Sequence, residues 1–298
     1  MLSRIAELVY WIARFTERAE GVSRMVSAYH YSATQLGALE DRSGLHDLIT
    51  AFGEHGDEGS TFRSTATWWV MGGENPASVV SCIRAARENA RRAREVLSLE
   101  VWETLNGAAS AIESMVADGS TYEAVAERIP AYTRAFAGVV ETTAPRDETW
   151  EILRLGTMIE RAAMTLRAVL IGAQAADRLP TEDPLALHAW TVTLRACSAL
   201  DAYRKTSAGI PQGPAVVALL LHSVTCPRSV AFALREIQST LPFGSEPQRE
   251  IDRARGILIS PSRSDDGAIP ALADRLLGMC DRIHRAVIDE WRGRWDSP

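Results

Sequence analysis

The stretch MLSRIAELVYWIARFTERAEGVSRMV, residues 1–26, decides the fold class. Its apolar positions at Ile5, Leu8, Ile12, Phe15, Ala19, Val22 and Val26 advance in steps of three and four, which places them on one face of a helix. The pattern runs on to about Leu39, and most of the remaining chain repeats it. No segment alternates polar and apolar residues between two turn signals, as a half-buried strand would.

Helix starts are marked by Asn75-Pro76, Asp183-Pro184 and Cys226-Pro227, each placing proline at a first helical position. Asn75 and Asp183 are suitable N-caps. The segment Ser120-Thr-Tyr-Glu123 reads as a capping box. Breaks fall at 53–59, 71–73, Pro145, 179–180, 209–214, 242–247 and 260–267. The expectation is an all-α chain of ten to twelve helices without a sheet.

Composition narrows the function classes. The chain has 298 residues, 46% hydrophobic and 23% charged, enough to bury a large core without staples. A net charge of −6 disfavours a globally basic nucleic-acid binder. Lys205 is the single lysine; the other basic residues are arginines, which follows either from base composition or from a need for guanidinium forks on carboxylates or phosphates. Cys82, Cys197, Cys226 and Cys280 form no C-x-x-C pair and no zinc spacing, so they read as small buried hydrophobes in a reducing compartment. Arg4 and Glu7 interrupt the opening apolar pattern, unlike a secretory signal. The longest apolar run, 215–221, is far short of the roughly 20 residues that cross a bilayer. The expected location is cytoplasmic, with neither membrane nor nucleic acid as partner.

A duplicated order of motifs divides the chain. Arg14-Phe-Thr-Glu17-Arg18-Ala19 is followed by Arg24, and Thr157-Met-Ile-Glu160-Arg161-Ala162 by Arg167. Likewise Asn75-Pro76-Ala-Ser78-Val79 leads to Ile83-Arg84, and Cys226-Pro227-Arg-Ser229-Val230 to Leu234-Arg235. Two pairs in the same order predict two similar helical halves, 1–145 and 146–298, joined in one body.

The charged residues within these blocks are the candidate site. Arg14, Glu17, Arg18 and Gly21 share one sector of the first helix, bordering its apolar stripe. One reading is a structural ion pair that fixes helix register. The other is a polar pocket, with glutamate as acid or base and arginine as an anion clamp. Arg84, Arg87, Arg91 and Arg94 form a second stripe, beside Glu88. It is a solvated face, a partner for Glu17 or Glu160, or a clamp for a phosphate or carboxylate. The expectation is that it faces the Glu-Arg blocks at least in part. The candidate polar pocket therefore comprises Arg14, Glu17, Arg18, Arg24, Arg87, Asn89, Arg91, Glu160, Arg161 and Arg167.

Other chemistries find no support. Paired Glu-x-x-His motifs, which a di-iron bundle requires, are absent, and Asp281-Arg-Ile-His284 stands alone as surface polarity. There is no phosphate-binding loop and no nucleophile elbow. Neither a metal nor another cofactor is expected. Trp11, Trp102, Trp150 and Trp190 sit in apolar patterns and read as core; one of Trp68 and Trp69 must point outward. Trp291 and Trp295 could form a partner surface on a terminal helix.

Residues 1–20, together with Arg87-Glu88-Asn89-Ala90-Arg91, Trp102-Glu-Thr-Leu-Asn106, Ile159-Glu160-Arg161-Ala162 and Pro227-Arg228-Ser229-Val230, resemble the alpha-E family. This bacterial all-helical family is named for its Glu-Arg motif, and the likeness covers nearly the whole chain. It departs at Thr157, where the family usually has arginine, and this sets the second block apart from the first. Family members accompany a circularly permuted ATP-grasp protein and a transglutaminase-like protein. The resemblance implies a helical accessory or substrate-presenting subunit of a peptide-modification or amide-ligation system, not catalytic alone. An enzyme acting on a peptide or amide through a Glu/Arg pocket is one alternative. A pure scaffold is the other.

Overall fold

A computed structural model describes residues 3–35, 61–178, 180, 183–207, 209–242, 244–259 and 268–295, with the side chains of 268, 294 and 295 excepted. Among these residues the regular structure is helical throughout, in twelve α-helices. They are α1 (Ser3–Gln35), α2 (Phe62–Met71), α3 (Val79–Arg92), α4 (Leu99–Ala117), α5 (Tyr122–Thr143) and α6 (Glu148–Asp177). There follow α7 (Pro184–Ala196), α8 (Leu200–Thr206), α9 (Gly213–Val217), α10 (Val230–Gln238), α11 (Glu246–Ile259) and α12 (Ala268–Trp295). A π-helical turn, Ala218–His222, continues α9. No described helix is long and apolar enough to cross a membrane.

The two long helices α1 and α6 lie against each other at the centre. Around α1, α3 and α5 pack on its sides, and α4 joins α3 to α5. Around α6, α10 and α12 pack likewise, and α11 joins α10 to α12. Helix α7 lies against both central helices. The apolar steps read from the sequence become the core: Ile12, Ala19, Val22 and Val26 of α1 are fully buried, as are Leu166, Val169 and Ile171 of α6. Because α1 and α6 are buried on most of their surface, each carries more apolar positions than one stripe supplies.

Glycine sets how closely the central helices approach. A Cβ on Gly156 would lie 2.6 Å from the backbone oxygen of Tyr10 and 3.1 Å from the Ala13 Cβ. A Cβ on Gly21 would lie 2.7 Å from the end of Met164. Both sites require the missing side chain.

Several boundaries differ from the expected ones. Asp183 caps α7, with Pro184 in its first turn. At α3 and α10, however, the caps are Ser78 and Ser229, so Asn75 is no cap and neither Pro76 nor Pro227 takes a first helical position. Asn75 instead closes a turn in which its Oδ1 accepts the Ala77 N–H at 2.9 Å, so Pro76 falls in the turn before the helix. Thr121, not Ser120, caps α5. A capping box forms at Thr61 and Ser64. Trp68 is exposed and Trp69 buried, and Trp190 is buried. Trp11, Trp102 and Trp150 are half-buried. Trp291 is no surface residue: it is buried edge-on against Tyr10, so the expected partner surface is not formed there. The breaks at 53–59 and 260–267 and the side chain of Trp295 lie outside the described residues.

Candidate functional site

The two Glu-Arg blocks meet where α1 crosses α6, and they pair crosswise. Glu160 of α6 is wholly buried. It receives the Arg14 Nε–H at 2.6 Å on Oε2, and the Arg18 Nε–H at 2.6 Å on Oε1. Arg18 Nη2 adds a third bond, to Oε2 at 3.0 Å. Reciprocally, Glu17 of α1 receives Arg161 in a two-pronged grip, Nε to Oε1 at 2.8 Å and Nη2 to Oε2 at 2.9 Å. Such forked geometry is what guanidinium and carboxylate planes favour. Each carboxylate is thus held by an arginine of the other helix rather than by its sequence neighbour.

The surroundings of the two centres differ. Around Glu160 the space is filled. Arg14 Nη1 also donates to the Tyr10 hydroxyl at 3.2 Å, and Tyr10 Oη lies 2.9 Å from His284 Nδ1. The Tyr10 and His284 rings are stacked at 5.5 Å, and the Arg14 guanidinium lies 5.2 Å from the Trp11 ring. His284, expected as surface polarity, is therefore half-buried and joined to the polar core from α12. Burial alone would push the Glu160 carboxyl up, but Arg14 and Arg18 outweigh it and hold it down at about 2. Burial pushes the Tyr10 hydroxyl up to about 12 and, aided by Arg14, holds His284 down at about 4. The centre contains an anionic carboxylate, a neutral phenol and a neutral imidazole at neutral pH. Cys280 and Cys82 flank it as free thiols pushed up by burial to about 12.

Beside Glu17 there is room. A cavity of about 260 Å³ opens between α1, α5 and α6. Glu17, Glu20, Glu141, Arg134, Arg154, Arg161 and Arg228 form its charged wall; Phe136, Val140, Leu153, Met158 and Trp150 contribute apolar surface. Arg228, from the turn before α10, spans the two carboxylates, with Nη1 to Glu17 Oε1 at 2.8 Å and Nη2 to Glu20 Oε1 at 2.5 Å. Arg24 also donates to Glu20 Oε1, at 2.7 Å. Burial would raise the Glu20 carboxyl, but Arg228 and Arg24 hold it at about 2. The difference between the centres traces to one pair of positions. Arg14 stands three residues before Glu17 and reaches Glu160; Thr157 stands three residues before Glu160 and lines the cavity beside Glu17. Its hydroxyl turns back to the Leu153 carbonyl oxygen at 2.9 Å, leaving the space a guanidinium would fill.

Of the expected pocket residues, Arg14, Glu17, Arg18, Glu160 and Arg161 come together. Arg24 joins through Glu20. Arg167 lies close enough to Glu160 to act on its charge but makes no hydrogen bond to it; its Nη1 rests 4.0 Å from Met164 Sδ, and burial lowers its pKa. Arg87, Asn89 and Arg91 do not belong to the site, and the stripe does not face the Glu-Arg blocks. The buried face of α3 is Val79, Cys82, Ile83, Ala86 and Ala90, which turns the arginines toward α4 and solvent. Arg84 and Arg87 pair with Glu113, Arg87 also with Asn106, Arg91 with Glu88, and Arg94 lies 5.4 Å from the Trp102 ring. Asn89 is half-buried on the same helix. Exposed pairs of this kind contribute little, because water screens them.

Sequence reasoning missed Glu20, Arg228, Tyr10 and His284. Glu20 and Tyr10 lie three residues after Glu17 and four before Arg14, so helical spacing pointed to both. Arg228 carried a weaker signal, its place in Pro227-Arg228-Ser229.

Comparison with known proteins gives a consistent picture. The Alpha-E family model, described as a predicted alpha-helical domain with a conserved ER motif, matches residues 1–287. Similar proteins include Uncharacterized protein Mb2597 of Mycobacterium bovis, 25% identical, and Uncharacterized protein Rv2567 of Mycobacterium tuberculosis, 24% identical. Each alignment covers 96% of this chain but 36% of the relative, so the chain spans about a third of their length. No solved structure matches.

Proposed function

The chain belongs to the Alpha-E family, and from that premise we propose that it is a helical accessory or substrate-presenting subunit of an ATP-grasp-linked peptide-modification or amide-ligation system. One observation carries the non-catalytic part of this reading. The carboxylates of both Glu-Arg blocks are occupied by guanidinium donors, and Glu160 is sealed and held at about 2. A general acid or base needs a pKa near the working pH and contact with its substrate; Glu160 has neither. The cavity beside Glu17 gives the subunit a place to hold a ligand. The greater length of the mycobacterial relatives supports a domain that works beside other domains. The ATP-grasp and transglutaminase-like partners and a cytoplasmic setting rest on the family resemblance.

The two halves are, in this reading, copies of one helical unit. Positions 143 residues apart meet across the α1–α6 crossing: Ala13 faces Gly156, Gly21 faces Met164, and Glu17–Arg161 mirrors Arg18–Glu160. A two-fold relation between similar surfaces has this reciprocity.

Co-expression of the tagged full chain with a circularly permuted ATP-grasp protein from the same genome tests the proposal. The expected result is a complex that survives purification, with ATP turnover at background for the chain alone. Robust turnover by the chain alone, lost in Glu17→Gln, would instead establish the enzyme reading. No complex and no effect on the ligase would leave the scaffold.

A further inference from the structure

We infer that the cavity beside Glu17 binds a carboxylate attached to an apolar group, the chemistry of a peptide C-terminus ending in an apolar residue. This deepens the substrate-presenting reading and rests on it for the biological source of the ligand, though not for the chemistry of the site.

Three observations point to an anion with an apolar body. The first is an orphaned donor. Trp150 lines the cavity, and its indole N–H is buried with no acceptor. A buried unpaired N–H is costly, and a small turn of the indole at the cavity wall brings it to an acceptor held there. The Trp150 ring is fixed between two guanidiniums, Arg146 at 4.4 Å and Arg154 at 5.0 Å from its centroid.

The second is charge. Glu17 and Glu20 are outnumbered by Arg161, Arg228 and Arg24, which already hold them. Arg154 is paired with Glu141 and Glu236. Arg134 also lines the cavity, is exposed, and has no carboxylate partner among the described residues. Along the cavity wall Arg134, Arg154, Arg161 and Arg228 face Glu17, Glu20 and Glu141, a surplus of one positive charge, so a cation is disfavoured and a carboxylate favoured.

The third is shape. At about 260 Å³ the cavity lies below the roughly 300–1,000 Å³ of sites for drug-sized ligands, so it takes a chain end rather than a folded partner. Phe136, Val140 and Leu153 offer the apolar wall. In the equivalent place across the crossing, Arg14, Tyr10 and His284 fill the volume, so only the centre with threonine at 157 is open.

The test is a titration of the full chain, followed by the NMR signal of the Trp150 indole N–H, assigned by its loss in Trp150→Phe. N-acetyl-leucine and N-acetyl-leucinamide are the probes, alike except that an ionised carboxylate in one is a neutral amide in the other. The acid is expected to shift the Trp150 signal and to bind about tenfold or more tighter than the amide, the difference a hydrogen bond to a charged group makes. Thr157→Arg, which places a guanidinium in the cavity, is expected to abolish binding. Arg134→Ala, an exposed change that leaves the fold intact, is expected to weaken the acid and not the amide. Equal response to acid and amide, an unmoved Trp150 signal at saturating solubility, or unchanged acid binding in Arg134→Ala would overturn the inference. A ligase complex that persists while the acid fails to bind would sink this ligand assignment and leave the subunit reading standing.

Discussion

Replacing Glu160 with alanine is expected to cost the fold about 3–5 kcal/mol, the range for breaking a buried ion pair and leaving its partners behind. Arg14 and Arg18 would both lose the carboxylate they share, and Arg14 is almost completely buried. Denaturant unfolding measures the loss. A change below about 1 kcal/mol would place the pair among exposed bridges and contradict the buried centre. The same carboxylate links stability to acid. Its folded pKa lies at about 2, below the ordinary 4.5, so the folded state favours the ionised form. The stabilisation is fully present above the unfolded value and is lost as the pH falls through the window from 4.5 to about 2. Glu20 contributes in the same direction and window. The wild type should lose stability steeply there, and Glu160→Ala should lose less. Parallel pH profiles for the two proteins would contradict the linkage.

Gly156→Val is expected to be similarly severe, about 3 kcal/mol or more, at the upper end of overpacking costs. The atom in the way is the backbone oxygen of Tyr10, 2.6 Å from a Cβ, and it cannot turn aside as a side-chain end could. The helices must separate, which lengthens every crossed ion pair. Gly138 of α5 is the control: a Cβ there meets nothing within 4 Å. Gly138→Ala should stabilise by about 1 kcal/mol through helix propensity. Melting temperatures of the two variants give the comparison; equal and small changes would show that the crossing is looser than described.

The sequence carried the helices well because three-four spacing and cap residues are local. Asp183-Pro184 marks α7 as it should, while Asn75-Pro76 and Cys226-Pro227 mark turns three residues ahead of the true caps, Ser78 and Ser229. A proline fits either position, and only the burial of Asn75 in its turn decides. The site was legible in its members and not in its pairing. Arg14, Glu17 and Arg18 share one helical sector, a spacing that suggests pairs along α1. Their partners lie more than 140 residues away because the glycines let α6 come within side-chain reach. The arginine stripe of α3 misled for the opposite reason. Its spacing is genuine, but the small residues Cys82, Ala86 and Ala90 occupy the inner face, and four guanidiniums remain cheaper to leave near water and Glu113.

The central claim is that the Glu-Arg dipeptides work by exchange between helices. Double-mutant cycles on unfolding free energy test it directly, with Glu17, Arg18, Glu160 and Arg161 replaced singly and in pairs. The account predicts coupling of about 0.5–3 kcal/mol for Glu17 with Arg161 and for Arg18 with Glu160, and near-additivity for Glu17 with Arg18 and for Glu160 with Arg161. Coupling confined to the sequence neighbours, with the crossed pairs additive, would contradict it.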